Sequence, residues 1–294
     1  MCGIAGIVNF QADDRKINLG NLCLMASKME SRGPDGEGYF LQDFENQTHH
    51  ILPSSAPAQL KSQLSKYEEL TENFGRDFLC GLAHKRLKIL DLSNDSHQPM
   101  ADSSGRFVLV YNGEIYNFRE LRKELELAGV NCKTSGDTEI VLYSYLVWRE
   151  KCLDKFNGDF AFAIWDNKEK TLFCARDRIG IKPLYYTKSD TNFIFASEID
   201  AILNSNLHDA ELNSEGIYLG AALGMAPRPL TALKNIFSVE QGCWMKPLST
   251  IRAMRQFQLH LAKDGEISCK SMFRHDTEIC NPAIKSLSSR RLRS

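Results

Sequence analysis

The run Phe160-Ala161-Phe162-Ala163-Ile164-Trp165-Asp166 alternates large and small residues and reads as a β-strand. A polar turn over residues 167–170 leads into a second strand, Thr171 to Ala175, completing a hairpin. A loop from Arg176 then feeds a strand through Tyr185 and Tyr186, and Phe193 to Ala196 forms another. Four short strands in succession, with no helix between them, predict stacked antiparallel sheets rather than a parallel βαβ sheet. Helical periods occur elsewhere. Leu19, Leu22, Cys23, Met25, Ala26 and Met29 share one face of a helix over 18–30. Leu121, Leu125 and Ala128 do the same over 118–128, with Asn117 at the N-cap and Gly129 at the stop. A third apolar helix runs from Ile140 to Trp148, preceded by Asp137 and Thr138 as candidate caps.

Size and charge narrow the function classes. The chain of 294 residues suits one large domain or two modest ones, and its net charge of -1 gives no electrostatic case for nucleic acid or an anionic membrane. No apolar run approaches the ~18–20 residues that span a bilayer, and no secretory signal is visible. Nine cysteines, an odd number, are scattered without Cys-x-x-Cys spacing, which argues against a disulfide framework or a zinc site. A reducing compartment, the cytoplasm, is the expected location.

The stretch with chemical potential is the N-terminus, Met1-Cys2-Gly3-Ile4-Ala5-Gly6-Ile7-Val8-Asn9. Clipping Met1 would leave Cys2 with a free α-amine beside its own thiol. That amine titrates near about 7.7–8.0 and could serve as a base for a thiol of roughly 8.5. The plainer reading is an ordinary first strand with an incidental cysteine.

Four later positions carry similar alternatives. Arg86 lies in an apolar strand running from Ala83; it is either a snorkelling surface arginine or the partner of an anion. Asn112-Gly113, at the end of a strand from Phe107, is either a hairpin turn or a pair of donors aimed at an oxyanion. Asp137 is either a helix cap or a ligand-binding carboxylate. Arg32 or Asp35, in the turn at Arg32-Gly33-Pro34-Asp35-Gly36, either merely stops a helix or walls a pocket. Residues 41–78 show no sustained apolar period and are expected to form a surface insertion.

Taken in order, these motifs together with His84-Lys85-Arg86-Leu87-Lys88-Ile89-Leu90-Asp91 and Gly180-Ile181-Lys182-Pro183-Leu184-Tyr185-Tyr186 resemble the class II glutamine amidotransferases. These are N-terminal nucleophile hydrolases, and the branch most similar here is the glutaminase half of asparagine synthetase. The resemblance implies an α+β fold, a four-layer αββα sandwich of two antiparallel sheets. It implies that Cys2 is the nucleophile, its amine the base, and Asn112 with Gly113 the oxyanion site. Arg86 would pair with the α-carboxylate of L-glutamine, Asp137 with its α-ammonium, and Glu114 would fix that end. The backbone of Leu87, Lys88, Ile89 and Leu90 would line the site.

The implied domains are an amidotransferase unit at 2–205, with 41–78 inserted, and a connector and remnant at 206–294. Asparagine synthetases continue into an ATP-pyrophosphatase domain whose Ser-Gly-Gly-x-Asp-Ser loop cradles phosphates. That loop has no match in this sequence. The glutaminase step is therefore expected to need no cofactor, and ATP and Mg are expected only with a synthetase domain or subunit. A homodimer partner is a further expectation. Two alternatives remain: an amidotransferase serving another acceptor, and a copy that binds partners without catalysis.

Overall fold

The computed structural model describes residues 1–11, 17–70, 75–88 and 93–247. In chain order the elements are β1 (Gly3–Asn9), α1 (Leu19–Ser27), β2 (Gly36–Gln42), β3 (Thr48–Leu52), α2 (Ala58–Gln63), β4 (Glu68–Glu69), β5 (Cys80–Arg86), β6 (Met100–Ala101) and β7 (Phe107–Ile115). Then come α3 (Phe118–Leu127), α4 (Thr138–Trp148), α5 (Cys152–Lys155), β8 (Gly158–Asp166), β9 (Thr171–Arg176), β10 (Tyr185–Lys188), β11 (Asn192–Ala196), α6 (Ile199–Leu203), α7 (Ser214–Leu223), β12 (Ile236–Ser238) and β13 (Trp244–Met245). No helix among the described residues is long and apolar enough to cross a membrane.

The strands form two sheets, ordered β12-β10-β11-β1-β5-β2-β3-β4 and β13-β9-β8-β7-β6. Neighbours pair antiparallel except β3 with β4. Strand alternation then builds three apolar layers. Ile4 and Val8 of β1 meet Val108, Val110, Ala163 and Trp165 of the second sheet in the space between the sheets. Ala5 and Ile7 point the other way, onto Leu22 and Met25 of α1 and Ile202 of α6. Phe107, Leu109 and Tyr111 of β7 face Leu121 of α3 and Ile140 of α4. The result is a four-layer αββα sandwich, the α+β architecture that the resemblance implies. A polar tie crosses the middle layer: the Trp165 indole N–H donates to Gln42 Oε1 at 2.8 Å.

Two expectations need correction, and one of two open readings falls away. The stretch 41–78 is not surface throughout, because β3 pairs with β2 and places Ile51 and Leu52 in buried positions, and Phe78 is buried as well. The strand escaped notice because only its last two residues are buried. Nor does the packed unit end at residue 205. β12 extends the first sheet beside β10, and β13 extends the second beside β9. Val239, Cys243 and Met245 enter the layer between the sheets. The rest of the expected remnant, from 248, lies outside the described residues. Finally, Asn112-Gly113 is not a turn. β7 runs straight through it, pairing Asn112 with Ala161 and Gly113 with Phe160. Gly113 is required by proximity, since a Cβ there would lie 2.5 Å from the Asp159 carbonyl oxygen.

A chain cut at residue 235 should therefore be less stable than one ending at 247. It loses β12 and β13 and four buried apolar side chains, Ile236, Val239, Cys243 and Met245, on the order of 6 kcal/mol at about 1.5–3 kcal/mol each. Urea midpoints of the two chains check this; equal midpoints would mean that 236–247 is not part of the folded unit.

Candidate active site

Cys2 stands just before β1, the strand held between β5 and β11. Gly3 pairs with Lys85, so Cys2 lies beside the end of β5. There the Leu87 N–H donates to Cys2 Sγ at 3.3 Å, and the thiol reaches the Leu87 carbonyl at 3.6 Å. Arg32 donates through Nε to the Cys2 carbonyl at 3.0 Å and through Nη1 to Glu198 at 3.1 Å. The motif Arg32-Gly33 thus anchors the Cys2 backbone. Gly33 is needed because a Cβ would lie 2.3 Å from the Lys85 carbonyl carbon.

A cleft opens in front of the thiol. Its walls include Cys2, Arg86, Leu87, Asn112, Gly113, Glu114 and Asp137. Asn112 and Glu114 alternate with Tyr111 along β7, so they leave the helix-facing side that Tyr111 occupies. Asn112 is buried, and its Nδ2 has no hydrogen-bond partner among the described residues. An unmet buried donor costs about 1–3 kcal/mol, a cost that a ligand oxygen at the cleft would relieve. Asp137 holds the N-cap position of α4, yet its side chain caps nothing. Its Oδ2 instead accepts from the Tyr111 hydroxyl at 2.6 Å and from the Ile115 N–H at 2.9 Å. Glu139 fixes the approach to α4 by accepting from the Lys133 and Thr134 amides at 2.8 and 2.6 Å. Arg86 donates to the Ser93 carbonyl at 2.8 Å. One guanidinium and two carboxylates, Glu114 and Asp137, therefore share a cleft with a thiol and a donor amide.

The electrostatics suit a site that awaits a ligand. Burial pushes the Cys2 thiol up, opposed by the Leu87 N–H, the terminal charge, Arg86 and Arg32. The resting thiol therefore needs a base. Burial also raises the Asp137 carboxyl, against the pull of Tyr111 and Ile115.

One expected residue stands apart. Lys88 lines a neighbouring cleft with Asp35, and its N–H donates to Asp35 Oδ2 at 2.9 Å. Ile89 and Leu90 lie outside the described residues. Sequence reasoning missed Tyr111, Ser96, Gln98, Thr138 and Lys182, which also line the cleft. Tyr111 reads only as the apolar end of a strand, and Ser96 and Gln98 belong to no periodic segment.

Residues 71–258 match the family model described as a glutamine amidotransferase domain. The chain belongs to the class II glutamine amidotransferases. It is 36% identical over 237 residues to asparagine synthetase [glutamine-hydrolyzing] 3 of Bacillus subtilis, covering 79% of this chain and 32% of that protein. It is 35% identical over 256 residues to putative asparagine synthetase [glutamine-hydrolyzing] 2 of Methanocaldococcus jannaschii, covering 82% and 42%. The chain thus spans less than half the length of either relative. Among solved structures, glutamine phosphoribosylpyrophosphate amidotransferase of B. subtilis superposes with a TM-score of 0.56 at 17% identity, covering 85% of this chain and 50% of that one. That likeness concerns the fold alone.

Three imidazoles, His84 and His97 buried and His50 half-buried, predict a pH dependence. Burial lowers His50 to about 4, His97 to about 4 and His84 to about 3. The unfolded chain binds protons at about 6.5, so it holds more protons than the fold below that pH. Stability should be flat in these groups above about 6.5 and fall toward pH 4, by up to about 1.4 kcal/mol per pH unit for each imidazole. His50 sits between Phe40 and Tyr67 with ring centroids at 5.1 and 4.8 Å. His50→Phe keeps an aromatic ring there, so urea midpoints between pH 4 and 8 should show a slope smaller by about one proton. An unchanged slope would mean that His50 is not buried neutral.

Proposed function

We propose that this cleft hydrolyses L-glutamine to glutamate and ammonia through a thioester on Cys2. The observation that carries the reading is the meeting of Cys2 Sγ, the unpartnered Asn112 Nδ2, Arg86 and Asp137 in one cleft. An α-amino acid is a zwitterion and needs a cation and an anion at fixed separation. Arg86 receives the carboxylate and Asp137 the ammonium, with Glu114 beside it. The side-chain amide then extends toward Cys2.

Met1 is half exposed, open to removal. Its loss puts the α-amine on Cys2 itself. That amine takes the thiol proton as sulfur attacks the amide carbon. Asn112 Nδ2 and the Gly113 N–H receive the negative oxygen. The C–N bond breaks, the amine returns the proton to nitrogen, and ammonia leaves. Water then attacks the thioester carbon, glutamate departs, and Cys2 regains its proton.

Ammonia formed here is destined for an acceptor activated elsewhere. The relatives' names favour aspartate, with ATP and Mg required only by a synthetase domain or subunit outside the described residues. We place the reaction in the cytoplasm; the described cysteines are all free thiols, as a reducing compartment allows.

The test is glutamate and ammonia release from glutamine by the purified chain, with its N-terminal mass recorded. Cys2→Ala should abolish release, and Asn112→Ala should lower kcat by about 10²–10³. Chains that retain Met1 should be inactive. Release that survives Cys2→Ala would refute the mechanism.

A further inference from the structure

We propose that Tyr111 is a positioning residue, whose hydroxyl holds the Asp137 carboxylate in the place and charge state that receive the substrate's ammonium group. This rests on the reading of the cleft as a glutamine site. Tyr111 is itself buried, with its ring in the layer between β7 and the helices. Its backbone is pinned on both sides. The Tyr111 N–H donates to Gln98 Oε1 at 2.7 Å, and its carbonyl meets His84 Nε2 at 3.1 Å. A strand held this firmly sets the hydroxyl in one place, 2.6 Å from Asp137 Oδ2. A bond of that length from a hydroxyl to a carboxylate is charge-assisted and favours the ionised acid.

The position of Asp137 gives the contact its meaning. An aspartate before a helix ordinarily accepts from that helix's first amides. Asp137 does not, and its Oδ2 turns to Tyr111 and Ile115. The other groups around it pull in both directions. Glu114 of β7 is a second carboxylate lining the same cleft, which Cys2 also lines. Arg86 and Lys182 line it as well, and Arg122 of α3 donates to the neighbouring Gly136 carbonyl at 3.1 Å. Ammonium binding needs Asp137 charged, and among β7's donors the Tyr111 hydroxyl is the one a single conservative substitution removes.

The experiment is the pH dependence of glutamine hydrolysis by the full chain and Tyr111→Phe, with a carbon NMR titration of Asp137 assigned through Asp137→Asn. The ring stays, so the core is kept. KM should rise about tenfold at pH 6 and about twofold at pH 8, with kcat changing less than KM at both. The Asp137 carboxyl should titrate about one unit higher, the loss expected for one hydrogen bond to a charged group. A merely structural role predicts kcat and KM altered alike at every pH and an unmoved titration; that result overturns the proposal. If the titration moves but the wild-type chain shows no Cys2-dependent hydrolysis, the assigned function fails and the positioning role falls with it.

Discussion

The pairing of β1 with β5 is the constraint on which the site depends. Gly3 opposite Lys85 sets Cys2 level with the end of β5, where Arg86 and Leu87 emerge. A slip of one residue would send Ile4 and Val8 from the layer between the sheets to the helix side. It would also carry the thiol away from the Leu87 amide. The register is held by the packing of β1 on both faces and by β11 on its other edge, where the Ile4 N–H donates to Ser197 Oγ at 3.0 Å. Thiol position and core packing are thus one decision.

The cleft runs against the ordinary preferences of a protein interior. Asn112 Nδ2 is unpaired among the described residues, Cys2 and Asp137 are both pushed toward their neutral forms, and Asp137 forgoes its cap. Such departures are tolerable where the surrounding structure over-determines the geometry. Here the two sheets and the helices do so: Asn112 comes from a nine-residue strand paired on both edges, and Asp137 from the N-cap of a largely buried helix. Substrate would satisfy each departure at once.

Much of this was legible in the sequence, unevenly. β8, β9 and β11 announced themselves by alternation and hairpin chemistry, and with them the stacked sheets. α1, α3 and α4 followed from helical period. β3 did not, because its exposed half hides a two-residue buried end. Asn112-Gly113 misled locally, since the same pair serves a tight turn or a close approach to a neighbouring strand, and only tertiary context separates them. Arg86 and Asp137 were each ambiguous alone, because their meaning lies in lining one cleft from the end of β5 and the N-cap of α4. Tyr111 was invisible, for its role resides in one oxygen at the far side of a core ring.

The most direct test of the account is covalent capture of the nucleophile in the full chain. A glutamine-mimicking diazo ketone carries the α-carboxylate and α-ammonium of the substrate and loses dinitrogen to an attacking thiolate. Peptide mass spectrometry should then find the label on Cys2 alone among the nine cysteines, with protection by glutamine and loss of labelling in Arg86→Gln. Label spread over several cysteines, or placed on Cys2 without protection by glutamine, would contradict a cleft built around that substrate.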